Sequence, residues 1–95
     1  MIAPEAPLRR AMTIRNRRGL HARASARFVE TVERHDARAM VEKDGMRVDG
    51  RSIMGLLMLA AAQGSTIEVE TSGAEAAALM VALDALVAGL FGEDA

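Results

Sequence analysis

The sequence has no cysteine, tryptophan or tyrosine, and it contains only two phenylalanines and two prolines among 95 residues. Without cysteine the chain can form no disulfide and can offer no thiolate to a metal ion, so two common ways of stabilising a small protein are excluded. The core must instead be built from Leu, Val, Ile, Met and Ala that pack through secondary structure. With 51% hydrophobic residues the chain can form one small domain, and it is too short for two.

Long hydrophobic runs are also missing. No apolar segment reaches the roughly 20 residues that a membrane-spanning helix requires. The first ten residues, MIAPEAPLRR, lack the basic and then apolar order of a signal peptide. We therefore expect a cytoplasmic protein with no membrane insertion.

The positive charge is unevenly distributed, although the formal net charge is only -1. Arginines are concentrated between Arg9 and Arg38, and no lysine or arginine follows Arg51. The first half of the chain should therefore attract anions or acidic partners. The arginines leave nucleic-acid binding open, but the scarcity of aromatic residues and the lack of a recognition motif argue against it.

Hydrophobic periodicity predicts seven elements along the chain. Alternating apolar residues predict strands, and apolar residues three or four positions apart predict helices, as at Ala22, Ala26, Val29 and Val32. In order, we predict a strand over residues 8–14, a helix beginning beside His21, strands within 37–43 and 46–50 joined by a turn at Asp44 and Gly45, a helix between Ser52 and Gly64, a strand within 65–71, and a helix over 76–90.

Capping residues define the predicted helix ends. Ser52 stands where an N-cap belongs and Gly64 where the residue after a C-cap belongs. Ser72 and Glu75 have the spacing of a capping box. The helix after Ser52 is apolar almost all round, so it is either fully buried or partly exposed for a partner.

The element order β-α-β-β-α-β-α, with one polar face on the strands, predicts an α+β fold. We expect a two-layer, open-faced β-sandwich in which three helices cover one face of a four-stranded, mostly antiparallel sheet. Residues 1–7 are expected to form a flexible lead-in, residues 8–91 a single domain, and residues 92–95 a C-terminal tail.

His21 lies in the segment RRGLHARASARF, between a glycine and the first turn of the first predicted helix. A neutral imidazole is a good nucleophile near pH 7 and can accept a phosphoryl group. The helix N-terminus offers free backbone N–H groups to such an anion, and Arg23 adds a charge-assisted donor. Arg17, Arg18 and Arg27 raise the local positive potential. On the residues alone, a capping or packed histidine without chemistry remains the alternative.

The parts of a complete phosphoryl-transfer enzyme are missing. The sequence has no glycine-rich nucleotide loop and no pair of carboxylates beside His21 that would bind magnesium. His35 has no partner at metal-ligand spacing with His21, so we expect no metal and no cofactor. A phosphoryl group would then have to arrive from one protein and leave to another.

Two segments, GLHARASARFV and GRSIMGLLMLAAAQGSTIEV, together resemble the HPr family, the histidine-containing phosphocarriers of the bacterial phosphoenolpyruvate-dependent phosphotransferase system. The resemblance extends from Leu8 to Leu90. It implies a carrier, not an enzyme, that receives a phosphoryl group on Nδ1 of His21 from enzyme I and gives it to an enzyme IIA protein or domain. Arg23 would stabilise the phosphate, and Ala22 and Arg23 would supply backbone amides.

The resemblance also implies roles for the second segment. Ser52 matches a serine that a dedicated kinase modifies in some members of the family, although as an N-cap it also has a structural role. Part of the apolar helix is expected to face the sheet through Leu56, Leu59 and Ala60. The expected docking patch for partner proteins consists of Arg27, Ile53, Met54 and Leu57, with Met58 at its edge.

Ala24 departs from the family pattern, in which proline is usual at this position. A sequence with alanine resembles family members that serve regulation, including a nitrogen-related branch, so sugar uptake and regulation both stay open. A second function of a different class also stays open: a regulatory binding module that controls its partners by docking according to its phosphorylation state. We expect a monomer.

Overall fold

The structure, a computed structural model, describes residues 6–95. The first five residues of the predicted lead-in lie outside the described residues. The elements are β1 (Leu8–Thr13), α1 (Ala22–Glu33), β2 (Arg38–Lys43), β3 (Met46–Asp49), α2 (Ile53–Met58), β4 (Thr66–Ser72) and α3 (Ala76–Ala88), followed by a 3-10 turn at Leu90–Gly92. This order confirms the seven predicted elements.

The four strands form one antiparallel sheet in the order β1-β4-β2-β3. Met12 pairs with Ile67, and Val41 pairs with Val69; all four side chains are buried against the helices. The opposite face carries ion pairs, among them Arg47 with Glu70. The sheet is therefore covered on one face and open on the other, as the alternation of apolar and polar residues predicts.

The core lies between the sheet and the helices. Phe28 on α1 and Phe91 after α3 are the chain's two aromatic residues, and both are fully buried. The buried face of α1 differs from the predicted one in its first turn, where Ala22 is exposed. The buried residues of α1 are Ala24, Ser25, Phe28, Val29 and Val32.

Helix α2 is shorter than predicted. It ends at Met58 with Leu59 as its C-cap, and Ala60 has a left-handed φ of 51°, so Gly64 does not terminate this helix. Ala60 is exposed and does not pack on the sheet. The reason is tertiary: the Ala61 carbonyl accepts a hydrogen bond from the backbone N–H of Leu20 at 2.9 Å, which a continuous helix would prevent.

The predicted capping box before α3 is wrong. Ser72 is the last residue of β4, and Glu75 is the N-cap of α3 without a side-chain capping bond. The Glu75 carboxylate instead accepts a hydrogen bond from the backbone N–H of Asp36 at 2.5 Å. The last helix also ends earlier than predicted, at Ala88, because the chain turns into left-handed φ at Leu90.

None of the helices within residues 6–95 combines the length and the apolar character needed to cross a membrane.

Candidate functional site

The turn before α1 sets the position of His21. The backbone N–H of Gly19 donates to the Asn16 carbonyl at 3.1 Å, and Gly19 adopts a φ of 66°. A Cβ atom at this position would lie 2.5 Å from the Ala61 carbonyl oxygen, so only glycine fits. His21 is then extended, with φ -77° and ψ -179°, and serves as the N-cap of α1.

The two ring nitrogens of His21 have different partners. Nδ1 accepts a long hydrogen bond of 3.3 Å from the backbone N–H of Arg23, and Nε2 lies 2.5 Å from a carboxylate oxygen of Glu93. An ionised carboxylate can only accept, so the hydrogen of the short contact belongs to Nε2. This tautomer leaves the lone pair of the ring on Nδ1, which faces the start of α1.

Glu93 is held in place from two sides. Its second carboxylate oxygen accepts a hydrogen bond of 3.0 Å from the side-chain amide of Asn16. Burial raises the pKa of Glu93, but the hydrogen bonds from Asn16 and His21, with the positive charge of Arg18 nearby, lower this pKa by more. The net pKa lies below its ordinary value, so Glu93 is ionised near neutral pH.

The sequence assigns Glu93 to the C-terminal tail and gives it no role. Its contact with His21 joins residues 72 positions apart, and no periodicity predicts such a pair. The one sequence signal for it is Phe91, because an aromatic residue near the end of a chain with two such residues indicates that the terminus is anchored. The boundaries of the predicted lead-in, domain and tail stay predictions.

Asn16 is fully buried, and sequence reasoning does not single it out. Its side-chain amide donates to the Gly19 carbonyl at 2.7 Å as well as to Glu93. Asn16 therefore ties the glycine turn before His21 to the carboxylate behind the ring.

The predicted phosphate ligands surround the start of α1. Ala22 and Arg23 are exposed, and the Arg23 guanidinium has no ion-pair partner within residues 6–95. Arg27 behaves differently: it is half-buried and its guanidinium donates to the backbone carbonyl of Phe91. The helix N-terminus and the Arg23 guanidinium are therefore available to an anion beside Nδ1.

The predicted docking residues of α2 differ in exposure. Ile53, Met54 and Met58 are 41%, 69% and 61% exposed, whereas Leu57 is half-buried. Leu56 and Leu59 are buried in the core, as predicted. The loop that follows α2 forms a shallow hollow with the His21 region, lined by Arg18, Leu20, His21, Ala60, Ala61 and Ala62.

Ser52 is the N-cap of α2, as predicted. Its hydroxyl accepts a hydrogen bond of 2.9 Å from the backbone N–H of Gly55, and the side chain is half-buried. The unmodified Ser52 side chain therefore has a structural role at the start of α2.

His35 takes part in no cluster with His21. Its Nδ1 lies 2.8 Å from the Thr31 carbonyl oxygen, one turn earlier at the end of α1. In the part of the chain that the structure describes, no three His, Asp or Glu side chains stand together as metal ligands.

Comparison with known proteins identifies the family. A family model described as "PTS HPr component phosphorylation site" matches residues 8–89. The phosphocarrier protein HPr of Neisseria meningitidis is 50% identical over 86 residues, which are 90% of this chain and 97% of that protein. HPr of Cupriavidus necator is 45% identical over 86 residues, with the same coverage of 90% and 97%.

A solved structure has the same fold as this chain. The crystal structure of HPr-C-His from Thermoanaerobacter tengcongensis has a TM-score of 0.88 and 34% identity, and the match covers 93% of this chain and 99% of that chain. The sequence matches and the shared fold therefore lead to one conclusion. The chain belongs to the HPr family of phosphocarrier proteins of the phosphotransferase system.

Proposed function

We propose that His21 accepts a phosphoryl group on Nδ1 from phospho-enzyme I and passes it to an enzyme IIA protein or domain. One observation carries this proposal: the Nε2 hydrogen is donated to Glu93, so the lone pair lies on Nδ1 at the start of α1. Membership of the HPr family supports enzyme I and an enzyme IIA as partners. The chain is then a carrier whose donor and acceptor are separate proteins.

The transfer step follows from this tautomer. The Nδ1 lone pair attacks phosphorus, a bond from phosphorus to Nδ1 forms, and the bond from phosphorus to the donor breaks with its electron pair returning to the donor. The ring then carries phosphorus on Nδ1 and hydrogen on Nε2, so it is positively charged. The Glu93 carboxylate neutralises this charge at 2.5 Å, which stabilises the phosphorylated ring.

The start of α1 is suited to the new phosphoryl group. The backbone N–H of Arg23 makes a long hydrogen bond of 3.3 Å to Nδ1, and it can turn to a phosphoryl oxygen once Nδ1 is substituted. The N–H of Ala22 and the exposed Arg23 guanidinium supply further donors. A helix end and one arginine form a weaker clamp than several buried cations would, which allows the group to leave for the acceptor.

Docking of partners is proposed for the surface beside His21. The docking patch of Arg27, Ile53, Met54 and Leu57 combines apolar α2 side chains with arginine, which suits an apolar partner surface with an acidic rim. A phosphate on Ser52 would act by repelling such an acidic rim, because a helix N-terminus tolerates the added charge without unfolding. A cytoplasmic location is proposed with these partners.

The test is intact-mass measurement after incubation with purified enzyme I and phosphoenolpyruvate. We expect one acid-labile phosphoryl group on the wild type and none on His21→Ala. Addition of purified enzyme IIA proteins should then discharge the wild type. Acceptance without discharge to any of them would favour the regulatory binding module, and no acceptance from a competent enzyme I would overturn the proposal.

A further inference from the structure

The chain makes an unusual turn between α3 and Glu93. Leu90, Phe91 and Gly92 have successive φ values of 61°, 54° and 79°, and the first two are not glycine. Left-handed φ is unfavourable for residues with a side chain, so contacts elsewhere must hold this turn. The fully buried Phe91 ring anchors it, and the backbone N–H of Glu93 donates to the Leu90 carbonyl at 2.9 Å.

Arg27 on α1 provides a side-chain contact to this turn. Its guanidinium donates to the Phe91 carbonyl, two residues before the carboxylate that meets His21. A Cβ atom on Gly92 would lie 2.5 Å from the same guanidinium nitrogen, so the glycine leaves the space that Arg27 occupies. We call Arg27, Phe91, Gly92 and Glu93 the C-terminal clasp.

We propose that Arg27 is a positioning residue: by holding the Phe91 carbonyl it keeps the Glu93 carboxylate on Nε2 of His21, and through Glu93 it sets the reactivity of Nδ1. This inference rests on the proposed role of His21 as phosphoryl acceptor. It differs from the docking role that the sequence suggests for Arg27, because a positioning residue acts on His21 when no partner is present.

The chemistry of arginine fits this role better than that of lysine. A planar guanidinium can reach a backbone carbonyl in a fixed orientation, whereas a lysine ammonium is a flexible point charge. Arg34 is the C-cap of α1, and its guanidinium makes an exposed ion pair with Glu30 at 3.9 Å and no hydrogen bond to the Phe91 carbonyl. Arg34→Met is therefore the matched control for Arg27→Met, since both remove one positive charge from the same helix.

The first measurement uses the unphosphorylated protein and needs no partner. Nitrogen-15 NMR of the His21 ring reports which nitrogen carries the hydrogen. We expect the wild type and Arg34→Met to give the Nε2–H tautomer, and Arg27→Met to shift both ring-nitrogen signals toward a mixture of tautomers. Unchanged His21 signals in a folded Arg27→Met protein would overturn the proposal.

A second variant disturbs the clasp without removing charge. Gly92→Ala introduces a methyl group against the guanidinium and disfavours the left-handed φ at this position. We expect it to move the His21 signals in the same direction as Arg27→Met. If Arg27→Met does not fold, Gly92→Ala decides the question alone, and wild-type His21 signals in Gly92→Ala would overturn the proposal.

The third measurement is a double-mutant cycle on the single-turnover rate of phosphoryl transfer from phospho-enzyme I. We expect Arg27→Met to slow transfer roughly threefold to tenfold when Glu93 is present, and by less than about 1.5-fold in the Glu93→Gln background. An equal effect in both backgrounds would assign Arg27 to docking and overturn its action through Glu93. If even the wild type accepts no phosphoryl group, the proposed function fails, while the NMR measurement still decides the clasp.

Discussion

Two helices of this protein begin with capping side chains that differ in what they leave free. Ser52 caps α2 with a hydroxyl that accepts from Gly55 at 2.9 Å, whereas His21 caps α1 through Nδ1 at 3.3 Å from Arg23. The shorter bond commits the serine oxygen to the helix. The longer bond leaves the Nδ1 lone pair available, because the ring is fixed from behind by Glu93. A side chain proposed as a nucleophile can therefore occupy a capping position when another contact orients it.

The largest expected effect separates the two caps completely. His21→Ala should abolish phosphoryl acceptance from enzyme I, because it removes the imidazole proposed as the acceptor, while Ser52→Ala should accept at the wild-type rate. Intact-mass time courses of both variants under the same conditions make the comparison. Acceptance by His21→Ala, or its loss in Ser52→Ala, would contradict the division of roles between the two caps.

Removing the charge behind the ring should have the next largest effect. Glu93→Gln keeps the shape of the side chain but cannot neutralise a positively charged phosphorylated ring, so transfer to His21 should slow about tenfold. Rapid-quench measurement of single-turnover transfer tests this. Asp94→Asn removes a neighbouring charge and is the matched control. Equal rates for Glu93→Gln and the wild type would show that the ring needs no carboxylate.

The wild type and Glu93→Gln should also differ in how their stability depends on pH. The pKa of Glu93 is lowered in the folded state, because hydrogen bonds from Asn16 and His21 outweigh the effect of burial. The carboxylate therefore adds stability above the ordinary carboxyl pKa of about 4.3, and this stability is lost as the pH falls below that value. Urea unfolding of the wild type and Glu93→Gln should give free energies of unfolding that differ at pH 6 and approach each other as the pH is lowered through the acidic range. A difference that grows on acidification would contradict the assignment.

Substitutions on the exposed surface of α2 should affect docking and leave the transfer step unchanged. Met54 is 69% exposed, so Met54→Asp should leave stability unchanged within about 0.5 kcal/mol. It should raise the KM for enzyme I roughly fivefold through the loss of about 1 kcal/mol of apolar contact. Val81→Asp is the control, because Val81 on α3 is 68% exposed and lies outside the docking patch. Equal KM values for the two variants would remove α2 from the docking surface.

The smallest expected effect concerns Ser52 as a structural cap. Ser52→Ala should lower the free energy of unfolding by about 1 kcal/mol, because the backbone N–H of Gly55 loses its acceptor. Urea denaturation measures this change, and Ser52→Asp, which can still cap the helix, should recover most of it. A Ser52→Ala protein as stable as the wild type would mean that water replaces the hydroxyl at no cost.

The fold could be predicted from the sequence where the signal is local. The apolar alternation of β4, the Asp44 and Gly45 turn and the helical spacing in α1 predict elements that the structure confirms. The errors arise where distant contacts override local preference. Helix α2 stops at Met58 because Ala61 bonds to Leu20, and no local pattern records that bond.

The candidate site likewise has a part that local sequence predicts and a part that depends on distant contacts. Neighbouring residues in the sequence are enough to predict that Ser52 caps α2 and that His21 lies at the start of α1. The contacts of Glu93 with His21 and Asn16 depend on how the C-terminus returns across the helices. That path is determined by the burial of Phe91 and by the turn around Gly92, which are properties of the packed chain.

The hydrogen bond from the Leu20 backbone to the Ala61 carbonyl joins the two functional loops without using a side chain. A main-chain contact therefore helps to fix the spacing between the segment that carries His21 and the loop after α2. On the proposed roles, substitutions on α2 would change which partners are recognised while Nδ1 of His21 keeps its position. Partner choice and transfer chemistry would then be free to diverge independently in evolution, and one scaffold would serve relays with different recipients.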